Sequence, residues 1–142
     1  MYKGRNIQYR AGMIPYIVEN GEVYMMFMKP SDTMYGGDKF QLCKGVIEEG
    51  EDHRTAVLRE SAEELGLRQS NMLSLTELGN FLGRTTVYVA KVKDRVSFDE
   101  PHFETSEVTW FTCDEFIKFG RELHAEIVQL ADQVIRKEED LD

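Results

Sequence analysis

Residues Gly45–Leu67 read GVIEEGEDHRTAVLRESAEELGL, a single turn-and-helix stretch that holds six glutamates. Asp52 is a suitable N-cap and Gly66 a suitable residue just past the C-terminus, which predicts a helix of about three and a half turns between them. Residues three and four apart are neighbours on a helix, so Glu60, Glu63 and Glu64 project from one side and repel one another. Arg59 precedes Glu63 by four residues and offsets part of that repulsion, with Glu51 two turns earlier on the same side. One arginine does not balance so many acids. Hard divalent cations do, because Mg²⁺ and Mn²⁺ prefer carboxylate, carbonyl and water oxygens and keep positions open for phosphates. Gly45 and Gly50 let the backbone turn tightly before the helix, which would bring the Gly45 carbonyl toward the same site. A glutamate run by composition alone is more often a solvated face; the spacing carries the argument.

Upstream, the apolar runs Ala11–Val18 and Val23–Met28 flank Asn20-Gly21, the signature of a β-hairpin. Pro15 lacks a ladder donor, so the first strand is expected at an edge or with an irregularity there. Lys29–Lys39 reads as a surface loop and Phe40–Cys43 as a short strand. Downstream, Leu73–Leu82 and Thr85–Val92 form a second hairpin through Gly83-Arg84, Lys93–Ser106 a loop, and Glu107–Phe111 a last strand. Leu58, Ala62 and Leu65 are expected on the buried face of the central helix. Thr112 and Glu115 have capping-box spacing. After a break near Gly120, Leu123, Ile127, Leu130 and Val134 draw one apolar stripe down a C-terminal helix, and the final KEEDLD should fray. The order is an α+β pattern, a mixed β-sheet with helices on its faces, expected to form one domain over residues 1–142.

Composition narrows the function classes. The chain of 142 residues is 42% hydrophobic, enough for a core without disulfides. A net charge of -9, from 17 basic and 26 acidic residues, argues against DNA and disfavours an RNA 5′ end, while leaving a small anionic substrate bridged by cations. Cys43 and Cys113 form no CxxC pair, so neither a disulfide framework nor a zinc site is indicated and a reducing cytoplasm is expected. No apolar run approaches the roughly 18 residues of a membrane span, and no leader segment is visible.

The stretch fits G-x5-E-x7-R-E-U-x-E-E-x-G-U, with U aliphatic, at Gly45, Glu51, Arg59, Glu60, Glu63, Glu64, Gly66 and Leu67. It resembles the Nudix hydrolase signature (MutT-like), departing only at Ser61, where the family usually has an aliphatic residue. The resemblance implies the Nudix fold, a mixed sheet between helices, and hydrolysis of a diphosphate bond. It further implies that Glu60, Glu63 and Glu64 bind Mg²⁺ or Mn²⁺ with the Gly45 carbonyl, and that Arg59, helped by Glu51, orients them. Glu60 or Glu64 would take the proton of the attacking water; in some relatives the base lies in a later loop, where Glu100, Glu104 and Glu107 stand.

Substrate signals are sparser. Lys44 is a candidate phosphate contact, and QLCKG resembles the PKG form of relatives acting on dinucleoside polyphosphates or 5′-triphosphate ends, with Cys43 in place of proline. LTELGNFLG lacks the proline that ADP-ribose-type relatives carry, and Tyr88 lies a few residues beyond the tyrosine spacing of diadenosine-polyphosphate relatives. Tyr16, Tyr35, Phe81, Tyr88 and Phe103 are candidate base-stacking residues with Arg84 as a charged partner, though an aromatic in a strand is usually core. Glu107 completes the substrate-side candidates. Trp110 and the methionines read as packing residues, and His53, His102 and His124 as surface histidines. The expected activity is a Mg²⁺- or Mn²⁺-dependent pyrophosphohydrolase acting on a nucleoside diphosphate derivative (a dinucleoside polyphosphate, ADP-ribose or an FAD-like molecule). The alternatives are a nucleoside triphosphate or RNA 5′-end pyrophosphohydrolase and a noncatalytic nucleotide-sensing module. Many relatives pair as dimers and the N-terminal strands are expected to offer an edge, so a homodimer stays open, with no partner surface fixed by the sequence.

Overall fold

The computed structural model describes residues 8–34 and 37–141, so the Tyr35 candidate lies outside the described residues. Strands β1 (Arg10–Glu19) and β2 (Glu22–Pro30) form the N-terminal hairpin, its turn made by Asn20 and Gly21, both at positive φ (53° and 78°). Strand β3 (Cys43–Val46) leads to helix α1 (His53–Leu65); β4 (Met72–Phe81) and β5 (Thr85–Val92) form the second hairpin; β6 (Thr105–Phe111), α2 (Cys113–Phe119) and α3 (Ala125–Glu138) follow. The sheet runs β4-β5-β1-β2-β6, with β3 paired to β1 beside this path; β1 and β5 are parallel and the remaining pairs antiparallel.

Two cores sit on opposite sides of the sheet, because successive strand residues point to opposite faces. Ala11, Met13, Met26, Cys43, Tyr88 and Ala90 face α1 and pack on Ala56, Val57 and Leu65. Ile14, Tyr16, Met25, Phe27, Leu42 and Val89 face the other way, onto Phe116 of α2 and Ile127, Val128, Ala131 and Ile135 of α3. This is the mixed sheet between helices that the sequence predicts. Met13, Met25, Met26 and Met28 are core residues, and Trp110 packs edge-on against Phe98 with ring centroids 5.9 Å apart.

Several expectations are corrected. β1 is the central strand, and β4 and β6 are the edges, so the N-terminal strands offer no edge for a partner. Pro15 falls where β1 changes neighbours on one side, from β3 through Met13 to β2 from Tyr16 onward. The short strand expected at Phe40–Cys43 is β3, shifted to Cys43–Val46; Phe40 and Gln41 make only isolated bridges, to Gly120 and Met28. On α1, Ala62 is exposed while Ala56, Val57, Glu60, Ser61 and Leu65 are buried. Ser61 fits its buried position by donating its hydroxyl to the Leu58 carbonyl at 3.1 Å. On α3 only Ile127 of the expected stripe is buried, and the face is completed by Val128, Ala131 and Ile135. The C-terminus does not fray at once: Asp140 takes a positive φ of 58°, Leu141 N–H bonds the Arg136 carbonyl and Asp140 N–H that of Lys137, a Schellman stop. The capping box on α2 forms as read, with Thr112 and Glu115 each bonding the other's backbone N–H.

Candidate active site

Helix α1 starts where the Asp52 carboxylate accepts the Thr55 N–H at 2.7 Å and stops at Gly66, left-handed at φ 73°. A side chain at Gly66 would also run into the Asp99 carbonyl, so only glycine lets the 98–105 segment lie against the helix end. That segment is tied down by the helix's spare carbonyls: Asp99 N–H bonds Gly66, His102 N–H bonds Glu63 (both 2.7 Å), and the Thr105 hydroxyl donates to the Glu64 carbonyl at 2.9 Å. Across from it, Ser31 bonds the Glu104 carbonyl through its N–H (2.8 Å) and the Phe103 carbonyl through its hydroxyl (2.6 Å). The result is a cleft of about 1070 Å³ between α1, β3 and these two loops.

Arg59 organises the acidic wall. Its Nε and Nη2 both donate to Glu51 at 2.8 Å; Nη1 donates to Glu60 at 2.8 Å and reaches Glu63 at 3.5 Å; Nη2 also donates to the Val46 carbonyl at 3.1 Å. One guanidinium therefore fixes three glutamates and ties α1 to β3. Its hydrogen bonds hold the Glu51 carboxyl down at about 2. Glu60 is buried over Gly45, and a Cβ at Gly45 would run into the Glu60 carboxylate, so this glycine is needed for space. Burial pushes the Glu60 carboxyl up despite Arg59. Burial, then the charge of Glu60, pushes Glu64 up to about 8, although Glu64 Oε1 accepts the Lys44 N–H at 3.2 Å. Burial disfavours the charged form of both carboxylates, and a further positive charge beside them would relieve that cost.

The donor set is all oxygen and suits Mg²⁺ or Mn²⁺, and the absent side chain at Gly45 leaves the room such a site needs. As they stand, no three acidic, cysteine or histidine side chains converge on one point among the described residues, since Glu60 turns to Arg59 and Glu64 to the Lys44 N–H. The ladder also refines the backbone donor. Ile47 N–H bonds the Tyr9 carbonyl, so by alternation Gly45 directs its polar groups at β1, and Lys44 is the residue whose N–H and C=O face the cleft.

Of the residues singled out in the sequence, Lys44, Gly45, Arg59, Glu60, Glu63 and Glu64 line the cleft, with Glu51 bound behind Arg59. Among the three loop glutamates only Glu104 lines it; Glu107 is exposed and pairs with Lys29 at 3.8 Å. Phe103 stands in the cleft 88% exposed. The structure does not bring Arg84 or Tyr88 there: Arg84 sits in the β4–β5 turn, and Tyr88 is buried under α1 beside Glu77. Phe81 and Tyr16 belong to the other core, and Tyr16 donates its hydroxyl to Glu139 at 3.4 Å. Sequence reasoning missed Arg10, Gln41 and Asp32, which also line the cleft; a charged residue opening an otherwise apolar strand was the available signal for Arg10. It also misread His124, which is fully buried, its Nδ1 accepting the Leu42 N–H at 3.2 Å. Burial, then Lys44 and Arg121, lowers His124 to about 3 and keeps it neutral.

The NUDIX domain family profile matches residues 8–131. Among solved structures, an Ap4A hydrolase of C. elegans in a binary complex shares 18% identity over 93% of this chain and 99% of its own, with a TM-score of 0.71. The NUDIX domain of Shewanella oneidensis NrtR, complexed with ADP ribose, shares 16% over 94% and 92%, with a TM-score of 0.74. A mutT/nudix family protein from Listeria innocua shares 21% over 94% and 97%, with a TM-score of 0.71. A search of curated proteins finds no significant sequence relative. With the profile spanning most of its length and the same sheet-and-helix architecture in these neighbours, the chain belongs to the Nudix hydrolases, which act on phosphoric anhydride bonds.

Proposed function

We propose that this protein is a Mg²⁺- or Mn²⁺-dependent pyrophosphohydrolase, built as one catalytic domain over residues 1–142, that cleaves the diphosphate linkage of a small nucleoside diphosphate derivative. The observation that carries this reading is the sequestered carboxylate wall, Glu60 and Glu64 beside β3 with Glu63 next to them, all held against Arg59 or the Lys44 backbone in one cleft. Likeness to an Ap4A hydrolase and to a domain holding ADP ribose supports a nucleotide as ligand.

In this reading Glu60, Glu63 and Glu64 hold the cation, with the Lys44 backbone carbonyl, rather than that of Gly45, as a further oxygen donor. When bound, the cation neutralises charge on the phosphate oxygens and lowers the pKa of a bound water. Arg59 keeps the carboxylates in register; Glu51, ionised well below neutral pH, anchors Arg59. Glu60 or Glu64 accepts the proton of the attacking water; Glu104, which lines the same cleft, is the alternative base. Phe103 offers its exposed ring as a stacking face for a base.

The test is a panel of dinucleoside polyphosphates, ADP-ribose, FAD and nucleoside triphosphates incubated with Mg²⁺ or Mn²⁺, the products being separated to locate the broken bond. Cation-dependent release of a nucleoside monophosphate or diphosphate from at least one member is expected. Tight binding of one member without cleavage of any would instead establish a sensing module.

A further inference from the structure

Two of the three carboxylates read as cation ligands stand where a helix is least secure. Glu63 and Glu64 belong to the last turn of α1, which ends at Leu65, and the carbonyls of a last turn have no partner further along the helix. Arg59 secures the wall mainly at Glu60, which it bonds at 2.8 Å, and reaches Glu63 only at 3.5 Å. The left-handed Gly66 closes the helix by donating its own N–H to the Ala62 carbonyl, while Leu67 N–H goes to that of Ser61. The Glu63 and Glu64 carbonyls are left to be satisfied from elsewhere.

One stretch of chain supplies both donors. His102 donates its backbone N–H to the Glu63 carbonyl at 2.7 Å, and Thr105 donates its hydroxyl to the Glu64 carbonyl at 2.9 Å. The first bond survives any side chain at 102; the second exists only because residue 105 carries a hydroxyl. The Thr105 N–H is already committed to the His102 carbonyl at 3.0 Å, so only the side chain is free to reach α1. β6 begins at Thr105, paired with Pro30, and a β-branched side chain has few rotamers with which to leave that position. At 9% exposure the residue leaves water little room to stand in for the hydroxyl. Between these two donors the Phe103 and Glu104 carbonyls turn the other way, to the Ser31 hydroxyl and N–H at 2.6 and 2.8 Å. Held on both sides, the stretch is a fixed support against which the end of α1 is set.

Resting on the hydrolase reading above, we propose that Thr105 is a positioning residue for the cation site, its hydroxyl fixing the last turn of α1 through the Glu64 carbonyl and so setting where the Glu63 and Glu64 carboxylates stand. Thr105 is not itself a ligand; it acts through the backbone of one. A hard divalent cation demands its oxygens at nearly fixed distances, so a small drift of this turn is passed directly to cation affinity.

Thr105→Val removes the hydroxyl at nearly constant shape, and Thr105→Ser keeps it. In a calorimetric Mn²⁺ titration, Thr105→Val should bind roughly fivefold or more weakly, the worth of one hydrogen bond. Thr105→Ser and Ile135→Ala, the latter losing stability on the opposite face, should both keep wild-type affinity. On a nucleotide that wild type cleaves, Thr105→Val should lower kcat at limiting Mn²⁺ and regain part of it at high Mn²⁺, with KM for the nucleotide little changed. Amide hydrogen exchange without cation reads the backbone itself: amides 64–67 should lose protection in Thr105→Val and keep it in Thr105→Ser. Wild-type Mn²⁺ affinity in Thr105→Val, or an affinity in Thr105→Ser as weak as in Thr105→Val, overturns the proposal. If wild type binds no Mn²⁺ and cleaves no nucleotide, the hydrolase reading fails on its own. Exchange then decides the hold on the turn: faster exchange confined to Thr105→Val upholds it, and unchanged exchange overturns it.

Discussion

Helices α1 and α3 cover opposite faces of one sheet, yet they bury different things. The buried face of α3 is Ile127, Val128, Ala131 and Ile135, all apolar. The buried face of α1 carries Ala56, Val57 and Leu65 together with Glu60 and Ser61, and the half-buried Glu64 beside them has its acid held up at about 8. One helix is packed for stability; the other accepts sequestered acids that a merely structural helix would avoid. The contrast supports the proposed placement of the chemistry on the α1 side without appeal to the signature.

The sharpest way to break this contrast is Glu64→Gln, which removes a charge at nearly constant volume. Turnover should fall by roughly two to three orders of magnitude, with circular dichroism unchanged; undiminished turnover would remove Glu64 from the site. Gly45→Ala comes next. Its methyl must displace the Glu60 carboxylate, so kcat should drop more than tenfold while overpacking costs about 1–3 kcal/mol in a denaturant titration. A variant that loses stability but keeps its kcat would show that Glu60 does not need its present position.

On the other face the effects should reverse. Ile135→Ala is expected to cost about 2–5 kcal/mol of stability while the folded fraction keeps its kcat. The last effect, which touches stability alone, is a pH dependence at His124. Its folded pKa of about 3 lies below the ordinary 6.5, so on acidification the unfolded chain binds a proton that the folded chain refuses. The stabilisation is therefore complete above pH 6.5 and drains away as pH falls toward 3, by about 2 kcal/mol between pH 6.5 and 5. His124→Gln should flatten that part of the stability profile; an unchanged slope would mean the imidazole is not kept neutral.

Much of this was legible in the sequence because local chemistry fixed it. Asp52, Gly66, Asn20-Gly21 and the Thr112–Glu115 box each satisfy or terminate backbone groups within a few residues, and all do so as read. What long-range packing decides was not legible. Pro15 suggested an edge or an irregularity; the irregularity holds, where β1 passes from β3 to β2, but the edge does not, because β5 lies sixty and more residues away in sequence and encloses β1 from the far side. The face of α3 follows from which side meets Phe27 and Phe116, so the stripe through Leu123, Leu130 and Val134 could not be told from its neighbour by periodicity alone. His124 looked like any surface histidine until Leu42 N–H was found pointing at it. In the cleft, the signature picked out Glu60, Glu63, Glu64 and Arg59, which all stand on one helix. The cleft's opposite side, with Arg10, Gln41 and Phe103, is assembled by strand pairing and loop contacts that no spacing encodes.

The most direct measurement is a calorimetric Mn²⁺ titration of wild type, Glu64→Gln and Ile135→Ala under conditions where all three are folded. Cation affinity should be equal in wild type and Ile135→Ala and at least tenfold weaker in Glu64→Gln. Wild-type affinity in Glu64→Gln would contradict the assignment of the α1 carboxylates to the cation.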